Sequence, residues 1–241
     1  MKNNVIIKSG NHNINLHTND VDNPQKIILC LHGFNGNLWG DGFSILRKSF
    51  NDALVCSFDS AGHGESEVSS LEMRMDLICK EVFDTVDFLA KKFKNVPIFI
   101  FALSYGAYRT ITTLFHFGLP NVKHIVFANP AFKMLKVLQK LKNFNYFELK
   151  DNSIVPMKQK LNKYLTKAFL DDIYIGDVYS LKFKQIPTTI FIGTQDTLIE
   201  RQDTLDFAKL HNCTIKYLND DHCVNKQESW EEIIRYLEDL K

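Results

Sequence analysis

Short apolar runs alternate along this chain with longer stretches in which apolar residues recur every three to four positions. The run at 26–31 (Lys-Ile-Ile-Leu-Cys-Leu) lacks the polar alternation of a half-exposed strand, as do those at 53–58 and 97–102, so all three predict strands buried on both faces. Residues 124–128, 188–192 and 214–218 continue the series, and 5–8 with 13–17 predict two edge strands joined by a turn at Gly10-Asn11. Between the runs the period is helical. About 71–93 carries Ile78, Val82, Phe83, Val86, Leu89 and Ala90 on one stripe, a second helix follows Tyr105, and a third spans about 227–240 with Trp230, Ile233, Ile234 and Leu237. Strands alternating with helices predict an α/β fold, and with no repeat or low-complexity linker the 241 residues read as one domain, 1–241.

The stretch from Pro130 to Ile186 breaks the rhythm. Its pattern is mostly helical and it separates two strands that should be neighbours, which predicts a cap inserted at 131–186 above the sheet. It carries eleven lysines against five acids, although the formal net charge of the whole chain is only +1. It also carries Phe132, Phe144, Tyr146, Phe147, Tyr164, Phe169, Tyr174, Tyr179 and Phe183. Two accounts are open: the aromatics line a pocket for an acyl or phenolic group while the lysines draw in an anionic substrate, or they form the cap's own small core beneath solvated lysines. The second is the simpler.

Overall charge narrows the partners. A near-neutral chain lacks the basic excess that neutralises phosphates, so no nucleic-acid partner is expected. Five cysteines, an odd number without regular spacing, make no disulfide framework and suit a reducing compartment. The N-terminal apolar run of three residues is too short for a secretory signal, and no window approaches the roughly 18 apolar residues of a membrane span. The expectation is a cytoplasmic chain without stable membrane anchoring, its oligomeric state undetermined.

Candidate chemistry clusters just past the strand ends. Ala102-Leu103-Ser104-Tyr105-Gly106 lies between a buried strand and a helix, where a nucleophile elbow pushes its serine out of the sheet and needs small residues two before and two after. Here the first small residue is alanine rather than glycine. The alternative for Ser104 is an ordinary helix N-cap. His32-Gly33-Phe34 follows the first buried strand, where an acyl-transfer enzyme keeps an oxyanion loop, and the amides of Phe34 and Tyr105 are the expected donors, with His32 bracing the loop. Asp196 follows the strand at 188–192 and His222 the strand at 214–218, giving the chain order Ser104, Asp196, His222 expected of nucleophile, orienting acid and base on such a sheet. Asp203, Asp220 and Asp221 are rivals for the acid. His63 is expected to bond within its own loop.

Other chemistries fit less well. Gly62 and Gly64 superficially suggest a phosphate-cradling loop, but no G-x-G-x-x-G opens a helix and no P-loop Lys-Ser/Thr pair follows. Neither H-E-x-x-H nor paired C-x-x-C is present, and Cys30 and Cys56 read as packed core thiols. There is no acidic cluster dedicated to a substrate amine, as a peptidase would use.

His32-Gly33-Phe34, residues 59–66, 102–106, 193–196 and Asp221-His222 together make the chain resemble the α/β-hydrolases. The likeness is to the serine-aminopeptidase or monoglyceride-lipase type, which includes bacterial cinnamoyl and feruloyl esterases. That resemblance implies an eight-stranded, mostly parallel sheet, a Ser-His-Asp triad and neither metal nor organic cofactor. The activity it implies is hydrolysis of a small carboxylic ester, phenolic or cinnamoyl esters included. An acyl-thioesterase, a lysophospholipase or a monoacylglycerol lipase on the same scaffold is the alternative, and a non-catalytic ligand-binding protein the more remote one.

Overall fold

The computed structural model describes residues 4–40, 42–158, 163–182 and 184–241. Its strands are β1 (Asn4–Ser9), β2 (His12–Thr18), β3 (Lys26–Leu31), β4 (Ala53–Ser57), β5 (Ile98–Leu103), β6 (Val122–Ala128), β7 (Ile154–Lys158), β8 (Lys163–Thr166), β9 (Thr188–Gly193) and β10 (Thr214–Leu218). Its helices are α1 (Phe43–Ser49), α2 (Met75–Lys92), α3 (Tyr105–Phe117), α4 (Met134–Lys142), α5 (Lys167–Ile175), α6 (Arg201–Leu210) and α7 (Gln227–Asp239). Eight strands form one sheet in the order β1-β2-β4-β3-β5-β6-β9-β10, in which β2 pairs antiparallel with both its neighbours and every other pairing is parallel. This is an α/β-hydrolase architecture, with all eight predicted strands in it.

The pleat sorts the core into two layers. On β3, Ile27, Leu29 and Leu31 face the stripe of α2 (Ile78, Val82, Val86, Leu89) and Ile111 and Leu114 of α3. Ile28 and Cys30 face the other way, onto Phe43 and Leu46 of α1 and Trp230, Ile233 and Leu237 of α7. Covered on both faces, β3 and β5 have no room for polar alternation, which is why they read as continuous apolar runs. Because β3 and β5 are central and parallel, the loops beyond their carboxyl ends share one rim.

Where boundaries differ, local chemistry explains it. The helix predicted from about 71 begins at Met75, because Ser69 and Glu72 close a separate short 3-10 turn with reciprocal capping bonds and Arg74 is extended. Helices α1 and α6 were not expected: α1 has only seven residues, and α6 buries Asp203 and Thr204 along with Phe207 and Ala208. The segment between β6 and β9 contains helices α4 and α5, as its pattern predicts, but also an antiparallel hairpin, β7–β8, which it does not. The hairpin's alternation covers only a few residues and is interrupted by Pro156, so no strand signal stands out. Among the described residues no helix is long and apolar enough to cross a membrane.

Candidate active site

Ser104 occupies the single residue between β5 and α3, with φ +48° and ψ −112°, a backbone conformation that costs energy for any residue with a Cβ. Its surroundings impose it. The Ser104 N–H donates to Ala128 O (3.0 Å), and its own carbonyl accepts from Ala131 N–H (3.1 Å). Two residues on, a Cβ at Gly106 would stand 2.4 Å from Leu31 O, so α3 approaches β3 this closely only because that position is glycine. Ala102, the departure from the glycine-first pattern, is fully buried opposite Leu31 in the β3–β5 register. The Ser104 side chain makes no capping bond to α3.

Instead its hydroxyl lies 3.0 Å from His222 Nε2, and His222 Nδ1 lies 2.8 Å from Asp196 Oδ2. A carboxylate only accepts, so Nδ1–H donates to Asp196 and the neutral ring presents Nε2 as acceptor to Ser104 O–H. Asp196 is fixed in turn, its Oδ1 accepting from Leu198 N–H (2.8 Å) and Ile199 N–H (3.0 Å). All three residues stand just past β5, β9 and β10. The rival acids are committed elsewhere: Asp203 to Lys133 and Lys136, Asp220 to the amides of Asp221, Asn225 and Lys226, and Asp221 to Cys223 N–H and Asn225.

The loop after β3 runs beside the serine: a Cβ at Gly33 would lie 3.3 Å from Ser104 Cβ. The next residue is Phe34, whose ring meets Tyr105 edge-on at 5.9 Å. Tyr105 opens α3, so its amide is one of the N-terminal groups without an intrahelical acceptor and sits at the positive end of the helix dipole. His32 braces the loop: Nδ1–H donates to Gly33 O (2.8 Å) and Nε2 accepts from Ser60 N–H (3.2 Å). Complete burial, helped by the charges of Arg109 and His63, holds His32 well below its ordinary 6.5, so it stays neutral and keeps that donor–acceptor arrangement. His63 Nδ1 bonds Ala61 O (2.9 Å), within its own loop.

Two supporting residues escaped the sequence reading. Arg109 is fully buried on α3 and donates from Nη2 to His32 O (2.9 Å), pinning the loop from below. Glu81, almost fully buried on α2, accepts from Ser60 O–H and Ala61 N–H (3.0 Å each) and from His12 Nε2 (3.0 Å). The available signal was an acid on the apolar stripe of α2, between Ile78 and Val82, which burial requires to be partnered.

A cavity of about 280 Å³ opens one residue past Phe34, lined among others by Asn35, Asn37, His63, Met157 and Lys163. The aromatics of the segment between β6 and β9 pack partly on one another, Tyr146 stacking on Tyr174 (5.0 Å), and partly on the body of the fold, where Phe132 stacks on Phe207 of α6 and Tyr179 meets the same ring edge-on. Phe183 lies outside the described residues. The lysines bind acceptors too: Lys133 and Lys136 on Asp203, Lys167 on Asp171, Lys163 on Gly64 O. Among the described residues no group of three or more His, Cys, Asp or Glu is placed to hold a metal ion.

Comparison with known proteins agrees with this architecture. Solved structures of the same fold include Est1E from Butyrivibrio proteoclasticus with ferulic acid bound (TM-score 0.80, 18% identity, 97% of each chain covered). Another is the mouse alpha/beta hydrolase domain-containing protein 10 (TM-score 0.74, 14% identity, 98% of this chain and 97% of that one). Mouse monoglyceride lipase is 33% identical over 131 residues, which cover 50% of this chain and 43% of that protein, so the match spans less than half of the relative's length. The family described as serine aminopeptidase S33 matches residues 22–172, well over half of the chain. Backbone, sheet order and sequence converge: the chain belongs to the serine aminopeptidase S33 family of hydrolases, on an α/β-hydrolase fold.

Proposed function

We propose that this hydrolase cleaves carboxylic esters through an acyl-enzyme on Ser104. The observation that carries the reading is the unbroken relay from Ser104 Oγ to His222 Nε2 (3.0 Å) and from His222 Nδ1 to Asp196 Oδ2 (2.8 Å). His222 takes the hydroxyl proton as Oγ attacks the ester carbonyl. The amides of Phe34 and Tyr105 receive the charge that develops on the carbonyl oxygen. As the tetrahedral adduct collapses, the imidazolium returns its proton to the departing alcohol and Ser104 is left acylated. A water molecule, deprotonated by His222, then attacks the acyl carbon; collapse releases the acid and restores the serine. Asp196 keeps the ring in the Nδ1–H tautomer throughout and stabilises the imidazolium. No metal or cofactor is required for any of these steps.

Two acyl classes divide the support. The fold likeness to Est1E with ferulic acid favours a phenolic ester, and the 33% identity to mouse monoglyceride lipase favours a monoacylglycerol or a related acyl ester. Turnover of methyl ferulate, a medium-chain monoacylglycerol and an acyl thioester by one preparation separates them. A strong preference for either acyl compound refutes the phenolic reading. Ser104→Ala is expected to abolish hydrolysis of a short nitrophenyl ester; full retention of activity refutes the assignment of Ser104 as nucleophile.

A further inference from the structure

Asn129 follows the last residue of β6 and is 2% exposed, with φ +45°, a left-handed conformation that asparagine tolerates better than most side chains. Its amide is fully engaged. Oδ1 accepts from Gly193 N–H (2.6 Å), at the end of the strand that leads to Asp196. Nδ2 donates to Asp221 O (2.8 Å) and to the carbonyl of His222 itself (3.1 Å). Only one orientation of the amide suits an N–H on one side and two carbonyls on the other, so the assignment of oxygen and nitrogen is fixed by the partners. The contact is tight from the far side as well. A Cβ at Gly193 would stand 2.7 Å from Asp220 O, 2.8 Å from Asp221 O and 3.1 Å from Asn129 Nδ2.

The same short segment also holds the serine. Ala128 O accepts from Ser104 N–H, Ala131 N–H donates to Ser104 O, and Asn129 N–H donates to Phe191 O (2.9 Å). Backbone bonds from Thr194 N–H to Leu218 O and from Gln195 N–H to Asp220 O align the β9 and β10 loops with each other. They do not reach β6 or the residue that bears the imidazole. The Asn129 amide does both.

We infer that Asn129 is a positioning residue: its buried amide locks the loops bearing Asp196 and His222 to the segment that carries the Ser104 backbone, and so sets the hydroxyl–imidazole distance. This rests on the reading of His222 as general base. Buried polar groups left without partners are costly, and loss of this amide would take from Gly193 N–H its acceptor and from the carbonyls of Asp221 and His222 a donor at the base of the site. The effect reaches the chemistry through the placement of the Asp196–His222 pair against Ser104, which makes it separable from a general loss of structure.

The test is a double-mutant cycle on p-nitrophenyl butyrate with Asn129→Ser, His222→Ala and the pair, each confirmed folded by its thermal transition. Asn129→Ser is expected to lower kcat by about 10- to 100-fold, the loss typical of a displacement of about 1 Å, with KM within about twofold. In the His222→Ala background the same change should cost under about twofold, because the group it positions is gone. An equal loss in both backgrounds, or an unchanged kcat in the single variant, overturns the inference. Wild-type turnover by His222→Ala would overturn the underlying mechanism instead. If Asn129→Ser does not fold, Gly193→Ala enters the same contact from the opposite side and must give the same pattern, or the inference fails.

Discussion

The rim of the sheet and the segment between β6 and β9 are held in place by different kinds of bond. At the rim, backbone bonds tie Ser104 to Ala128 and Ala131 and the β9 loop to the β10 loop through Thr194 and Gln195, with the Asn129 side chain joining the two. The segment between β6 and β9 is tied to the body by side chains. Arg74 grips Asp172 with two donors (2.7 and 2.8 Å), Tyr108 O–H donates to Gly176 O (2.8 Å), and Lys133 and Lys136 reach Asp203. Backbone bonds follow from topology, whereas side-chain bonds depend on which residues stand opposite one another.

The largest expected effect tests that division with two aspartates close in sequence. Asp196→Asn should lower kcat by about 10³- to 10⁴-fold, because the amide no longer enforces the Nδ1–H tautomer. Asp203→Asn removes a carboxylate of similar burial that serves only the attachment of α4 to α6. It should leave kcat within about twofold and lower the melting midpoint by a few degrees. Comparable catalytic losses in both would erase the distinction between the rim and the segment between β6 and β9.

A smaller effect sharpens the same contrast beneath the rim. The bond from His12 to Glu81 raises the His12 pKa above 6.5 against the opposing effect of burial, with Glu67 and Asp84 adding to it. A raised folded pKa means this pair contributes fully below about 6.5 and loses its contribution as pH climbs through the folded value. His12→Gln keeps a neutral donor and removes the charge. Its melting midpoint should fall by roughly 2 °C relative to the parent at pH 5.5, with the gap closing by pH 9. A gap that widens with pH would show the charge of His12 to be irrelevant to the loop that Glu81 holds.

The sequence made the rim legible and the segment between β6 and β9 much less so, for the same reason. Each strand buried on both faces announced itself as an apolar run, and the residues at its carboxyl end were then fixed in space by the parallel sheet. Ser104, Asp196 and His222 could therefore be placed from order alone. The supporting residues were hidden because nothing local marks them: Arg109 and Asn129 act across contacts distant in sequence. Glu81 alone left a trace, as an acid on an apolar stripe. Between β6 and β9, Pro156 and a strand of only a few residues masked the β7–β8 hairpin, whose place depends on partners such as Ser70, which accepts the Tyr164 amide (3.0 Å). Nor did the aromatic wealth of that segment reveal that rings such as Phe132 would be used in stacking on Phe207.

The central claim is that Ser104 is the activated nucleophile, and stoichiometric labelling by a fluorophosphonate tests it most directly. Intact mass should show a single adduct, peptide mapping should locate it on Ser104, and His222→Ala should nearly abolish the labelling rate. An adduct on any other residue, or an active enzyme that takes up no label, would contradict the account.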